Sequence, residues 1–534
     1  MLALMLACGS SDPAVVAPST SAVNPIDILT RVSMDIRGVR PSVADVDTIL
    51  ADPDALDDLI DDYLSDARFP ERVMDLYSEI YLTQAEVFSV QPTSFSFDDD
   101  VSGFEYAQSI GEEPLRILAT VAAEDLPYTD IVTADWTMHN PVLAQMYPTD
   151  YPADGSGWQK SRYTDERPTA GVLSTNGMWW RYGSTTSNLN RKRANQVSRI
   201  FLCNDYLTRP IEFDRDVNLL DEDAVSDAIQ NDPGCVACHV SLDPLASYLY
   251  GFWYIDDTSA GDTTRYHPER ELLFQRFDVP EPAYYGQAGG NLSDLGQHIA
   301  GDPRFIECAV EQAYTRLMGR DALLTDGDAL AIHREAFLAG GLTLRALFRS
   351  ILSHPRYRSA AEAPSGFVTK KMATASLMAS QIAALTGFVW TQSGVKMMAS
   401  DQVGVGNLAG RADGYRMVRD SRSPNATMLL VSARLAEAAA AHVIVTEAPQ
   451  APAQRTLFTE VTFTESPRTD PSTMAAQIQR LHKAVLGRAV ASDGEEVEAN
   501  LALWQELYEA TDDPYVAWGG VLIALLRDPD FLLY

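Results

Sequence analysis

Val310, then Tyr314-Thr315-Arg316-Leu317-Met318-Gly319-Arg320, Asp326-Gly327-Asp328 and finally Leu352-Ser353-His354-Pro355-Arg356-Tyr357 mark out one structural unit. In order they read as a helix, its glycine stop, the acidic start of a second helix and the close of a third. Gly319 stands where a helix C-terminus wants a left-handed residue. Asp326 falls where an acidic residue suits the positive end of the next helix. Leu344, Leu347, Phe348, Ile351 and Leu352 recur at the 3.6-residue period of a buried helical stripe.

The same pattern occurs twice more. One copy runs from Ile28 through Asp35-Ile36-Arg37-Gly38 and Asp45 to Leu64-Ser65-Asp66-Ala67-Arg68-Phe69. The other runs from Ile478 through Leu486-Gly487-Arg488 and Asp493 to Leu526-Arg527-Asp528-Pro529-Asp530-Phe531, with Val521, Leu522, Leu525 and Leu526 as its stripe. Three related units in one chain point to duplication. Residues 429–443, dense in Leu and Ala, add another helix. Strand signals are few; residues 456–464 alternate and predict a short strand or hairpin arm. The expected fold is mainly α, with repeated helical modules around the segment Cys235-Val236-Ala237-Cys238-His239 and few short strands.

Residues 91–102, 150–167 and 256–290 read as loops, and Ala363-Pro364-Ser365-Gly366 as a domain boundary. The expected division is a leader and tether (1–24), an N-terminal helical domain (25–165), a domain holding Cys235–His239 and the second module (166–362) and a C-terminal helical domain (367–534) with the third module. A chain of 534 residues is too long for one ordinary domain.

The 41 basic residues against 74 acidic ones give a net charge of −33. That excludes a nucleic-acid footprint and docking on anionic lipid through a polybasic face. No stretch is read as reaching the roughly 18 apolar residues of a membrane span. The chain opens Met-Leu-Ala-Leu-Met-Leu-Ala-Cys8-Gly-Ser-Ser, which is similar to a bacterial lipobox. Cys8 would then carry the lipid, with residues 12–24 as a flexible tether. A signal peptide usually runs about 15–30 residues, so the start site is expected upstream of the one given. The alternative is a short apolar N-terminus with a chance Cys.

Of the five cysteines, Cys235-Val236-Ala237-Cys238-His239 forms CxxCH, the pattern of c-type haem attachment. Two thiols three positions apart reach one macrocycle edge, and the adjacent imidazole is placed to ligate the iron. A redox dithiol and a zinc site are the rivals. The first usually follows a strand, and the second lacks a further CxxC or His pair. Cys203 and Cys308 remain, as a disulfide in an oxidising compartment or as two buried thiols. Walker, HExxH and GxSxG motifs are missing. Asp98-Asp99-Asp100 lacks an EF-hand pattern, and Gly404-Val405-Gly406 lacks a preceding strand.

With these residues in view, the chain resembles exported, cytochrome-c-like proteins of planctomycetes and myxobacteria, the domain-of-unknown-function families 1592, 1588, 1585 and 1549. Glu112-Glu113-Pro114-Leu115-Arg116 and Asp125-Leu126-Pro127-Tyr128 are similar to family 1592. Ala170-Gly171-Val172-Leu173-Ser174, residues 191–203 and Cys238-His239-Val240-Ser241-Leu242-Asp243-Pro244-Leu245 are similar to family 1588. Residues 305–320 with Arg356-Tyr357 resemble family 1585. The likeness covers about residues 27–360. It implies one covalent haem c and a location outside the cytoplasm. One departure is local: Ala246-Ser247-Tyr248-Leu249 follows Asp243-Pro244-Leu245, which delays the family's Gly-Phe to Gly251-Phe252.

His239 is then the proximal iron ligand, and Met178 the leading distal candidate unless it is a core residue. Met138, His139, His267 and His298 are weaker candidates. Asp243, or a carbonyl near Pro244, could accept the second ring N–H of His239; otherwise Asp243 is a turn or helix cap. Tyr248, Tyr250, Phe252, Trp253 and Tyr254 would pack on the macrocycle edge. Arg191 and Arg193, with Lys192 and Arg199, either neutralise the haem propionates or pair with Asp and Glu. The expected function is that of a monohaem cytochrome lipoprotein, exported to the periplasm or outer membrane of a Gram-negative bacterium. It would transfer electrons with a redox partner or envelope protein and touch the membrane only through its lipid anchor. Alternatives are an envelope scaffold with a structural haem and a peroxidase-like oxidoreductase with an open distal site.

Overall fold

The computed structural model describes residues 24–97, 101–209, 218, 220–254, 259–359 and 370–534. Cys8, the Asp98 to Asp100 run and the boundary at residues 363–366 lie outside the described residues. Helix makes up 60% and strand 4%, so the fold is mainly α.

The three modules form as their end signals dictate. In the first, Asn24 caps Pro25–Arg37, and the helix stops at Gly38 with φ 70°. Ser42 and Asp45 then make a reciprocal capping box for Val43–Ala51, and Leu56–Leu64 follows. In the second, Asp302 caps Pro303–Met318, which stops at Gly319, also at φ 70°; Gly327–Ala339 and Leu344–Ser353 follow. In the third, Pro471–Leu486 stops at Gly487 at φ 68°, before Glu495–Thr511 and Pro514–Leu526. In this copy Gly494, not Asp493, is the cap. Asp326 does more than suit a helix dipole. It is fully buried, accepts the Leu323 N–H at 2.9 Å and receives both Arg320 and Arg356.

Two large apolar cores divide the chain. The first draws on residues from Ile26 to Tyr357, so residues 25–165 and 166–362 share one core across the expected division. Most of the second lies between Ala373 and Phe531, joined by Met34 from the first module. The seam is polar. Buried Asp35 accepts Tyr357 Oη at 2.7 Å and Tyr534 Oη at 3.2 Å and pairs with Lys371. One carboxylate of the first module thus gathers the ends of the second and third. Beside it, Arg40 donates to the carbonyls of Asp530 at 2.5 Å and Phe531 at 3.1 Å.

Two expectations are corrected. Residues 456–464 form no strand, because other acceptors take the backbone donors a ladder would need. The buried Glu447 carboxylate accepts the N–H groups of Thr456, Leu457 and Phe458, and Glu465 accepts those of Thr462 and Thr464. Secondly, one helix, Ala426–Glu447, is long and apolar enough by length and composition to cross a membrane. Its Val431, Leu435, Ala439 and Val443 nonetheless pack inside the second core. The strands make three antiparallel pairs: Thr137–His139 with Gln159–Ser161, Ala283–Tyr284 with Gln287–Ala288, and Thr391–Gln392 with Val395–Lys396. The second pair and the strand Gln159–Ser161 fall within stretches read as loops, as does the 3₁₀ helix Pro268–Phe277.

The second module carries a pH-sensitive group. His333 is fully buried, with Nδ1 2.9 Å from Ser350 Oγ. Burial, and next the nearby His354, pull its pKa down to about 4. The unfolded ring titrates near 6.5, so the unfolded chain binds the proton first. Stability from the neutral ring is present above about pH 6.5 and is lost as pH falls towards 4, by about 3 kcal/mol. Thermal melts of wild type are expected to fall more steeply across that window than those of His333→Gln. Parallel slopes would refute this.

Candidate cofactor-attachment site

The CxxCH segment opens a helix, Pro233–Ser247. Asp232 caps it, its Oδ1 accepting the N–H groups of Gly234 at 2.9 Å and Cys235 at 3.3 Å. Pro233 takes the first position, where its missing N–H leaves no bond unmade. Helical spacing does the rest. Cys238, His239 and Leu242 lie three, four and seven positions after Cys235, so all four share one face. Leu242, Leu245 and Ala246 sink into the first core, while Val240 points to solvent at 65% exposure. Cys235 and Cys238 are half-buried and unbridged. Burial, with the Asp232 carboxylate and Cys238 adding to it, pushes the Cys235 thiol up, which keeps it protonated.

His239 is held from behind. Its Nδ1 lies 3.0 Å from Asp243 Oδ1, one turn along. Arg191 grips the same carboxylate with two donors, Nε at 2.6 Å from Oδ1 and Nη2 at 3.1 Å from Oδ2. Burial raises the Asp243 carboxyl, but the hydrogen bonds from His239 and Arg191 outweigh it and hold the group below the usual carboxylate range. An ionised carboxylate only accepts, so Nδ1 carries the ring proton. In the neutral ring Nε2 then keeps its lone pair, the tautomer a metal ligand needs. Asp243 therefore supports the ring instead of capping a helix, and its partner Arg191 is ion-paired.

The other candidates fall elsewhere. Met178 is fully buried in the first core, on the short helix Asn176–Arg181. That helix packs on Gly103–Ala123, while the CxxCH helix packs on Arg191–Leu202, Glu222–Asn231 and Ala283–Tyr284. Gly177 allows the close approach: a side chain there would meet the Ile110 carbonyl at 2.3 Å. Arg193 is buried and spends its donors on the carbonyls of Tyr182, Phe252 and Trp179 and on Asn190 Oδ1, at 2.8–3.2 Å. Burial pulls its guanidinium down to about 10. It ties loop to helix with four of its five N–H donors. Arg199 is likewise occupied, by Gln196, Ile80 and Tyr182.

His139 is enclosed between Thr149 and Ser161. His267 is held by Glu269 and the Asp262 carbonyl, and His298 stacks on Tyr284. Met138 is buried in the first core. The aromatic residues behind the motif pack on one another and on the 3₁₀ helix: Tyr250 stacks on Trp253 at 5.0 Å, and Trp253 meets Phe277 at 5.2 Å. Trp253, Phe252 and Tyr254 line a cavity of about 430 Å³ with Trp179, Trp180 and Arg193.

Cys203 and Cys308 are joined in a disulfide, with Cα atoms 5.3 Å apart. It ties the end of Arg191–Leu202 to Pro303–Met318, and the CxxCH helix lies within the loop it closes. Among the described residues no group of three or more His, Cys, Asp or Glu converges as a metal cage.

One buried network escaped the sequence reading. Glu113, fully buried, accepts Thr137 Oγ1 at 3.0 Å and the Tyr163 hydroxyl, with His139 Nε2 3.4 Å away. Arg167 lies over the Tyr163 ring and pairs with Asp165. Its only sequence signal was an acidic residue amid an apolar helical run.

Comparison of the chain with family models, with curated proteins and with solved structures yields no match.

Proposed function

We propose that the chain is an exported monohaem c-type cytochrome that exchanges electrons with a partner protein of the cell envelope. One observation carries the reading: two unbridged thiols and an imidazole share one face of a capped helix, and a buried carboxylate holds the imidazole in its metal-ligating tautomer. Cys235 and Cys238 would hold the haem by thioether bonds and His239 Nε2 would ligate its iron. When bound, the group supplies a one-electron couple. Asp243 keeps the Nδ1 proton in place, and Arg191 keeps Asp243 ionised. Met178 and Arg193, committed to core and loop, have no part in this reading, and Asp243 takes the place of Arg191's propionate.

Export to the periplasm or outer membrane, with Cys8 as lipid anchor, belongs to the same proposal. The Cys203–Cys308 disulfide supports it, since such bonds persist in oxidising compartments.

The test is expression with a cytochrome c maturation system, acid–acetone extraction and spectra of the oxidised and reduced protein. Haem retained by the polypeptide, with a sharp reduced α-band and lost in Cys235→Ala/Cys238→Ala, is expected. A wild-type chain that leaves all haem in the acetone would overturn the proposal.

A further inference from the structure

The chain is strongly acidic, yet a cavity of about 360 Å³ on the seam between the two cores is lined by cations. Nine arginine and lysine side chains border it against three carboxylates, Asp75, Glu79 and Asp420. The walls come from the first two modules and the polypeptide beyond them: Arg31 from the first, Arg316 from the second, Lys371, Arg422 and the C-terminal Tyr534 from the rest.

Ion pairing accounts for most of these charges but not all. Arg316 pairs with Glu79, Arg72 with Asp75 and Lys371 with Asp35. Arg31 and Arg422 have no carboxylate partner among the described residues. Arg31 donates Nη1 to the Tyr357 carbonyl at 3.1 Å and lies over that ring, and Arg422 donates to the Gly319 carbonyl at 3.1 Å. The Nε atoms of Arg31 and Arg316 are buried with no acceptor. A buried guanidinium N–H without an acceptor is unfavourable. Two such donors around one cavity, with surplus positive charge, call for an anion carrying several acceptor oxygens. The volume is that of a small-ligand site. Donors reach it from separate walls, which suits tetrahedral oxygens better than a planar carboxylate.

We propose that this cavity binds a small, multiply charged phosphoryl compound, held by Arg31, Arg316 and Arg422. The site owes nothing to the haem. An anion here would join the first core to the second, so binding stabilises the folded chain by mass action.

The probe is inorganic pyrophosphate, titrated calorimetrically into the full chain at low salt, with tricarballylate as a planar-carboxylate comparison. Saturable binding is expected, at least tenfold tighter for pyrophosphate. Arg422→Gln, on an exposed side chain, and Arg31→Gln are each expected to weaken it at least fivefold. Arg434→Gln, an exposed arginine paired with Glu437 outside the cavity, should leave it unchanged. Circular dichroism establishes that each variant is folded. No saturable binding at millimolar pyrophosphate would overturn the proposal. Equal binding by Arg422→Gln, or preference for the tricarboxylate, would do the same.

Discussion

Replacing Cys203 and Cys308 together by serine is expected to lower the stability of the first core by about 4–5 kcal/mol. The two residues are 105 positions apart, so the bond removes much of the unfolded chain's freedom, and the loss scales with the logarithm of loop length. The native side is favourable too. Cys203 ends the Arg191–Leu202 helix in a left-handed turn at φ 52°, and Cys308 is buried on the face of Pro303–Met318 that meets that helix. A thermal midpoint about 10 °C lower in the variant is expected, with the same shift on reducing the wild type. Replacing Cys235 and Cys238 in the haem-free chain should move the midpoint little, since those thiols are unbridged. A shift under 2 °C in the Cys203/Cys308 variant would show that the bond constrains nothing.

The second large effect belongs to Asp243. The helix Arg191–Leu202 begins Arg-Lys-Arg at its positive end and has no side-chain cap, an unfavourable arrangement that the Asp243 carboxylate offsets. Asp243→Ala strips Arg191 of its partner and leaves His239 without an acceptor, so a loss of about 2–4 kcal/mol is expected. The pH dependence has a definite sign. The folded carboxyl sits below its ordinary value, so its stabilisation is present above about pH 4 and is lost as pH falls through the folded value. Denaturant melts at pH 7 and pH 3 check this: the gap between wild type and Asp243→Ala should be wide at the first and narrow at the second. A gap independent of pH would assign the effect to packing. If the protein carries the proposed haem, Asp243→Asn should raise its reduction potential, because a neutral amide makes His239 a weaker donor.

Much of the helical frame was legible because it is written locally. Gly38, Gly319 and Gly487 end helices whichever core receives them, and Ser42 with Asp45 is a complete cap within four residues. The failures share a cause. Residues 456–464 alternate as a strand does, but Glu447, nine residues upstream, takes their backbone donors. Ala426–Glu447 has the composition of a membrane span, and only its packing in the second core gives that apolar face another role. Arg193 and Arg191 looked alike in sequence. A step of two positions along one helix decides that the first faces buried carbonyls and the second a carboxylate.

The sequence by itself determined the helices, their caps and the shared face of Cys235, Cys238 and His239, because these follow from spacing and local hydrogen bonding. The tertiary structure decided which nitrogen of His239 carries the proton, through Arg191, 52 positions before Asp243. It also decided that Arg31, Arg316 and Arg422 border one cavity. Charge and burial act through space, and residues hundreds of positions apart have no periodicity by which a sequence could announce that they meet.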